Sequence, residues 1–109
     1  METGEYVAVV SVDDLRPGFM TTHVVEGRDI VIAMTEEGPS VFDGYCSHAE
    51  FKLGDCRMRR GCEIECPMHG ARFRAVDGAV LKGPATEPLE RLESRVEGGR
   101  VMVLVDWLL

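Results

Sequence analysis

Turn-forming residues interrupt this chain at roughly eight-to-twelve-residue spacing, which leaves no stretch long enough for an ordinary helix. The strongest signals are Pro17-Gly18, Glu26-Gly27, the segment EEGPS at 36 to 40, Asp43-Gly44 and Glu97-Gly98-Gly99. Between them lie short β-branched and apolar runs: YVAVVSV (6 to 12), two strands within MTTHVVEGRDIVIAM (20 to 34), VF (41 and 42), and LESRV with RVMVLV around the Gly98-Gly99 pair. The expected class is all-β, a small antiparallel barrel or sandwich. One helical turn near Val12 to Leu15 is the competing local reading and leaves the class unchanged. The charged rhythm of TEPLERLESRVEGG suggests a helix, but Pro88 and the two glycines confine it to strand and turn.

A length of 109 residues suits one domain. With 45% hydrophobic and 28% charged residues the composition is that of a globular protein, and no apolar run is long enough to span a bilayer as a helix. The opening METGEYVAVV carries glutamates where a secretory or twin-arginine leader needs positive charge, so the expected compartment is the cytoplasm. Thiols stay reduced there, and the cysteines at 46, 56, 62 and 66 read as metal ligands or plain thiols. A net charge of −7 argues against nucleic acid as a partner. The charge is unevenly spread. Residues 51 to 82 hold seven bases against four acids, a surplus of +3, while the remaining five bases and fifteen acids carry −10. Two readings stand: solvated loop faces, or a charge dipole that orients the molecule toward a partner.

Two short stretches carry the chemistry. CSH (46 to 48) and CPMH (66 to 69) form a C-x-H motif, seventeen intervening residues, and a C-x-x-H motif. Each loop supplies one thiolate and one imidazole, whereas zinc fingers usually pair cysteines on one segment and histidines on another. A binuclear [2Fe–2S] cluster with two cysteines on one iron and two histidines on the other suits the mixed pattern. Neutral imidazoles on one iron lower the negative charge of such a cluster, so an added electron settles there more readily.

These stretches, with DDLRPG near the start, GAVLKGPATEPL and the final hairpin, resemble the Rieske-type ferredoxins of aromatic-ring-hydroxylating dioxygenase systems. The resemblance spans nearly the whole chain. It implies a Rieske iron–sulfur fold over residues 1–109, with a cluster-binding subdomain of two loops at about 44–85. It implies that Cys46 and Cys66 bind the inner iron and that His48 and His69 bind the outer iron near the surface. Pro67 and Gly70 would shape the second loop, and KGPA (82 to 85) would cover the cluster. The implied role is a monomeric one-electron carrier between a flavin-containing ferredoxin reductase and a terminal oxygenase. The small Rieske subunit of an NADH-dependent nitrite reductase is the alternative, and a zinc-stabilised interaction module a third reading. The chain has three histidines, too few for this cluster and an oxygenase's mononuclear iron together.

The sequence departs from the high-potential Rieske proteins of respiratory and photosynthetic complexes. Phe51 and Met68 stand where those proteins carry a loop-bridging cysteine pair, and Ala71 and Phe73 stand where they carry serine and tyrosine hydroxyls. Hydrogen bonds to sulfur favour the reduced state, so their absence implies a low potential. Outside the motifs, Cys56 and Cys62 flank RMRRG, a hairpin tip; plain thiols are expected, with a disulfide across the tip as the alternative. His23 is read as a surface or edge-strand histidine. Trp107 and the leucines after it are expected to pack on the barrel or meet a partner. Arg57, Arg59, Arg60 and Arg72 are candidates for docking or for solvated surface.

Overall fold

The structure, a computed structural model, describes residues 4–45, 52–60, 62–66, 70–83 and 85–107. Within them the chain forms β1 (Glu5–Ser11), β2 (Phe19–Val25), β3 (Arg28–Thr35), β4 (Gly38–Asp43), β5 (Arg57–Arg59), β6 (Glu63–Glu65), β7 (Arg72–Arg74), β8 (Val80–Lys82), β9 (Arg91–Leu92), β10 (Ser94–Glu97) and β11 (Arg100–Val105). Every pairing is antiparallel, in three sheets ordered β1-β11-β10, β2-β3-β4-β9 and β5-β6-β7-β8. This is the all-β architecture expected.

The middle sheet is covered on both faces, which explains the unbroken apolar run Ile30-Val31-Ile32-Ala33 in β3. A half-buried strand would alternate polar with apolar residues; a strand buried on both sides need not. Ile30 and Ile32 join Val41, Leu92, Val101 and Val103 in one core, which the β1-β11-β10 sheet covers. Val31 and Ala33 point the other way and join Phe42, Leu53, Ile64, Cys66 and Phe73 in a second core. The second core seats the small β5–β8 sheet. Ser40, nearly buried, fastens the two layers by donating its hydroxyl to the Val76 carbonyl at 2.8 Å.

Turn chemistry sets the registers. Val25 pairs with Arg28 across Glu26 (φ 47) and Gly27 (φ 77), and Glu97 pairs with Arg100 across Gly98 (φ 59) and Gly99 (φ 75). Two consecutive positive φ values define the hairpin turn whose twist matches the flanking strands. The segment 36–40, expected as a turn throughout, contributes only Glu36 and Glu37 to it. Thr35 closes that turn with its hydroxyl, accepting from Glu37 N–H at 3.1 Å and donating to the Gly38 carbonyl at 3.0 Å, so β4 starts early. The helical turn near Val12 is a 3-10 turn, Val12–Asp14, begun by Ser11, whose hydroxyl accepts from Asp13 N–H.

Candidate metal centre

Both motif loops leave from pinned bases. At the first, Gly44 donates to the Asp29 carbonyl at 2.9 Å and accepts from Leu53 N–H at 2.8 Å, while Tyr45 bridges to Lys52. A Cβ on Gly44 would lie 2.8 Å from Asp29 atoms, so only glycine lets the chain turn away this close to β3. At the second, Cys66 N–H donates to the Ala71 carbonyl at 2.8 Å, and Gly70 N–H donates to the Cys66 carbonyl at 2.9 Å. Gly70 has φ 72 and open space around its Cβ position, so the residue is required for its dihedral and not for room.

Of the four candidate ligands, the structure describes Cys66; Cys46, His48 and His69 lie outside the described residues, as do Phe51, Pro67, Met68 and Pro84. Cys66 is fully buried in the core that also holds Leu53, Ala71, Phe73 and Ala85. Leu53 closes the first loop and Ala71 the second, so the two bases stand on one apolar layer. Among the described residues no three His, Cys, Asp or Glu side chains converge as a metal site. A fully buried thiol in the apolar layer shared by both loop bases fits a cluster held partly by thiolates and shielded from water on its inner side.

Residues 5–93 match the family profile described as the Rieske [2Fe-2S] domain. The chain belongs to that family. A Rieske-type [2Fe–2S] cluster, with two cysteine and two histidine ligands, is therefore its cofactor. Several of the Rieske relatives it resembles are ferredoxin components. The ferredoxin component of the naphthalene 1,2-dioxygenase system of Pseudomonas putida is 29% identical over 101 residues, covering 93% of this chain and 96% of that protein. The solved ferredoxin of carbazole 1,9a-dioxygenase from Nocardioides aromaticivorans is 30% identical with a TM-score of 0.79, covering 90% of this chain and 95% of that one. A chain from the complex of reduced oxygenase and oxidized ferredoxin in carbazole 1,9a-dioxygenase is 26% identical with a TM-score of 0.79, covering 90% and 91%. The present Rieske protein is accordingly an electron-transfer component and not itself a catalyst.

The ladder of the small sheet decides several residues around the cluster loops. Arg57 pairs with Glu65, Glu65 with Arg72, and Arg72 with Lys82; the next row is Met58, Ile64, Phe73 and Val80. The apolar row faces the core, with Ile64 and Phe73 fully buried. The polar row faces out, and three arginines converge on Glu65, at 3.8 Å from Arg57, 3.4 Å from Arg59 and 3.3 Å from Arg72. That convergence depends on cross-strand register and left no mark in residue spacing. Arg59 pairs with Glu63, so Cys62 sits at the hairpin tip while Cys56 precedes β5 at the cluster end; no disulfide joins them.

His23 lies on edge strand β2 with Nε2 2.8 Å from the Thr21 hydroxyl, and burial pushes its pKa below the ordinary value. Trp107 packs against the first core, donates from Nε1 to the Glu26 carbonyl at 3.1 Å and lies 4.9 Å beneath the Arg28 guanidinium. The far corner of the small sheet is tied by Arg74 and Asp77 at 2.8 Å. That guanidinium, helped by the Ala79 N–H, holds the Asp77 carboxyl down to about 2.

Proposed function

We propose that this chain is a cytoplasmic, monomeric one-electron carrier that takes an electron from a flavin-containing ferredoxin reductase and passes it to the Rieske centre of a terminal ring-hydroxylating oxygenase. Cys46 and Cys66 bind one iron and His48 and His69 the other, in a single domain whose cluster-bearing part is residues 44–85. The cluster supplies one reversible electron, received preferentially at the imidazole-bound iron. The protein's own residues bury the thiolate side and close both loop bases. The observation that carries this reading is the fully buried Cys66 in the layer shared by Leu53 and Ala71.

Ala71 and Phe73, both fully buried beside Cys66 in that core, offer no side-chain hydroxyl to sulfur, which supports a potential near the bottom of the Rieske range. A shuttling carrier is favoured over a permanent nitrite reductase subunit by the exposed apolar residues. Among the described residues these are Phe19 and Val24 on β2, Tyr45 after β4, Leu81 on β8 and Val96 on β10, spread over three strands in three different sheets and a bridge residue, a pattern that does not read as one obligate interface.

The test combines visible and electron paramagnetic resonance spectra of the dithionite-reduced protein with iron and sulfide counts. It then follows NADH-driven reduction through a flavin ferredoxin reductase. Two irons, two sulfides and a Rieske-type signal are expected. A colourless protein or an all-cysteine ferredoxin signal would sink the ligand assignment.

A further inference from the structure

The outer face of the β5–β8 sheet combines a basic surplus with one misplaced apolar side chain. Arg57, Arg59, Arg72, Arg74 and Lys82, five bases, stand against three acids, Glu63, Glu65 and Asp77, so the face keeps a surplus of +2 on a chain whose net charge is −7. Arg57 is 75% exposed at its side chain, whereas Glu65, at 18%, sits beneath the guanidinium groups it holds. Holding Arg59 and Arg72 on one half-buried carboxylate removes rotamer freedom before any partner arrives, which lowers the entropy cost of docking. Among the described residues Lys82 forms no ion pair, so its charge is unopposed.

Leu81 is the apolar exception. Arg72 pairs with Lys82 but Phe73 pairs with Val80, so Leu81 is the extra residue of a β-bulge and is 47% exposed. A bulge re-aims a side chain that regular pairing would have placed in the ladder. The location matters as much as the composition. Glu65 immediately precedes the ligand Cys66, and Arg72 follows Ala71, whose carbonyl holds Cys66 N–H. The basic row therefore lies at the cluster end of its sheet.

We propose that this face is the docking surface for the redox partner, and that the partner presents a carboxylate-rich patch around an apolar seat for Leu81. The proposal rests on the carrier reading above and names the partner chemistry of that same site. The −10 carried by the rest of the chain turns the basic end toward an acidic surface and repels it elsewhere.

The test uses the cluster-loaded, reduced protein and two small oxidants, anionic tris(oxalato)cobaltate(III) and cationic tris(phenanthroline)cobalt(III). Each takes one electron from the reduced cluster as cobalt(III) becomes cobalt(II). Stopped-flow rates are compared between about 10 mM and about 150 mM salt, where the screening length falls from about 30 Å to about 8 Å. With the anionic oxidant the rate is expected to fall with salt, opposite to what a net charge of −7 dictates. The R57Q/K82Q variant, altered at two exposed side chains, should lose roughly threefold to tenfold of the low-salt rate at unchanged midpoint potential. Poly-L-glutamate should slow the reaction and poly-L-lysine should not. A rate that rises with salt, or a variant that keeps the wild-type rate, would overturn the docking surface, while reversible cluster reduction in the same experiment would leave the carrier role standing. A salt-labile dimer in sedimentation velocity would assign the face to a second copy of this chain and overturn it equally.

Discussion

Restoring the two missing hydroxyls tests how this Rieske centre sets its potential. Ala71, just before β7, and Phe73, within it, are separated by one residue, fully buried, and share the core with Cys66. The variant A71S/F73Y adds two oxygens at fully buried positions, so each hydroxyl must find an acceptor there. If the acceptors are sulfurs of the cluster and of its thiolate, each bond favours the reduced, more negative state. Bonds to charged groups are worth about 1.5 to 3 kcal/mol, and only the difference between redox states counts, on the order of 1 to 1.5 kcal/mol. For a one-electron couple that is about 45 to 65 mV each, or roughly 100 mV for both. The wild-type midpoint is expected near the lower end of the Rieske range, about −150 mV. A potentiometric titration followed by electron paramagnetic resonance should place the double variant about 100 mV higher and each single variant about halfway. If the hydroxyls do not reach sulfur they are buried without partners, costing about 1 to 3 kcal/mol each in stability. A variant with an unchanged midpoint and a lowered urea midpoint would therefore refute the reasoning.

Three further outcomes follow from the structure. In G78A the new methyl would lie 2.9 Å from Phe42 Cε1 and 3.0 Å from Leu89 Cβ at a φ of 78, so chemical denaturation should show a loss of about 2 to 4 kcal/mol, and a change under about 0.5 kcal/mol would contradict the packing described. W107F keeps a ring under Arg28 but loses the bond to the Glu26 carbonyl and should cost about 1 kcal/mol, measured as a lowered Tm; W107A should cost more, since the cation–π contact goes too. The Asp77 carboxyl is depressed from an ordinary 3.8 to about 2, so its contribution is present above pH ~4 and is lost as pH falls toward 2. The stability difference between wild type and D77N should be small, because the pair is solvent-screened, and should vanish over that window.

The hairpins were legible because their turns are local: Glu26-Gly27 and Gly98-Gly99 carry the dihedral requirement in the residues themselves. The all-β class followed from them. The small sheet was harder. RMR, EIE and RFR are three-residue strands, too short to establish a period, and RMR reads as part of a hairpin tip, RMRRG. Their apolar centres, Met58, Ile64 and Phe73, align only once β5, β6 and β7 pair. The pairing of β1 with β11 and of β4 with β9 joins segments far apart in the chain, and no spacing rule reports such contacts. Within the centre, the proposed ligands Cys46, His48, Cys66 and His69 rest on a motif and a family resemblance. The arginine convergence on Glu65 was not legible, because cross-strand neighbours are a property of register.

That register also explains how one stretch serves two demands. Along Ala71-Arg72-Phe73-Arg74 successive side chains alternate between core and solvent, with Ala71 and Phe73 buried and Arg72 and Arg74 outside. On the ligand set and docking face proposed above, the inward pair sets the polarity around the cluster, and the outward pair contributes to the field felt by a partner. Because the strand period is two, each set can change without moving the other, so potential and recognition are separable by substitution. A slip of one residue would exchange them, burying guanidinium groups and exposing phenylalanine, and the cost of a buried unpaired charge forbids it. The bulge at Leu81 adds one residue to β8 beyond the last apolar pair, Phe73 with Val80, so it changes the rim without disturbing the core row. Substitutions at Leu81, Arg57 or Lys82 should consequently alter electron-transfer rates at constant midpoint, whereas those at Ala71 or Phe73 should alter the midpoint. A substitution at Arg72 that shifted the midpoint as much as one at Phe73 would show that the two faces are not independent.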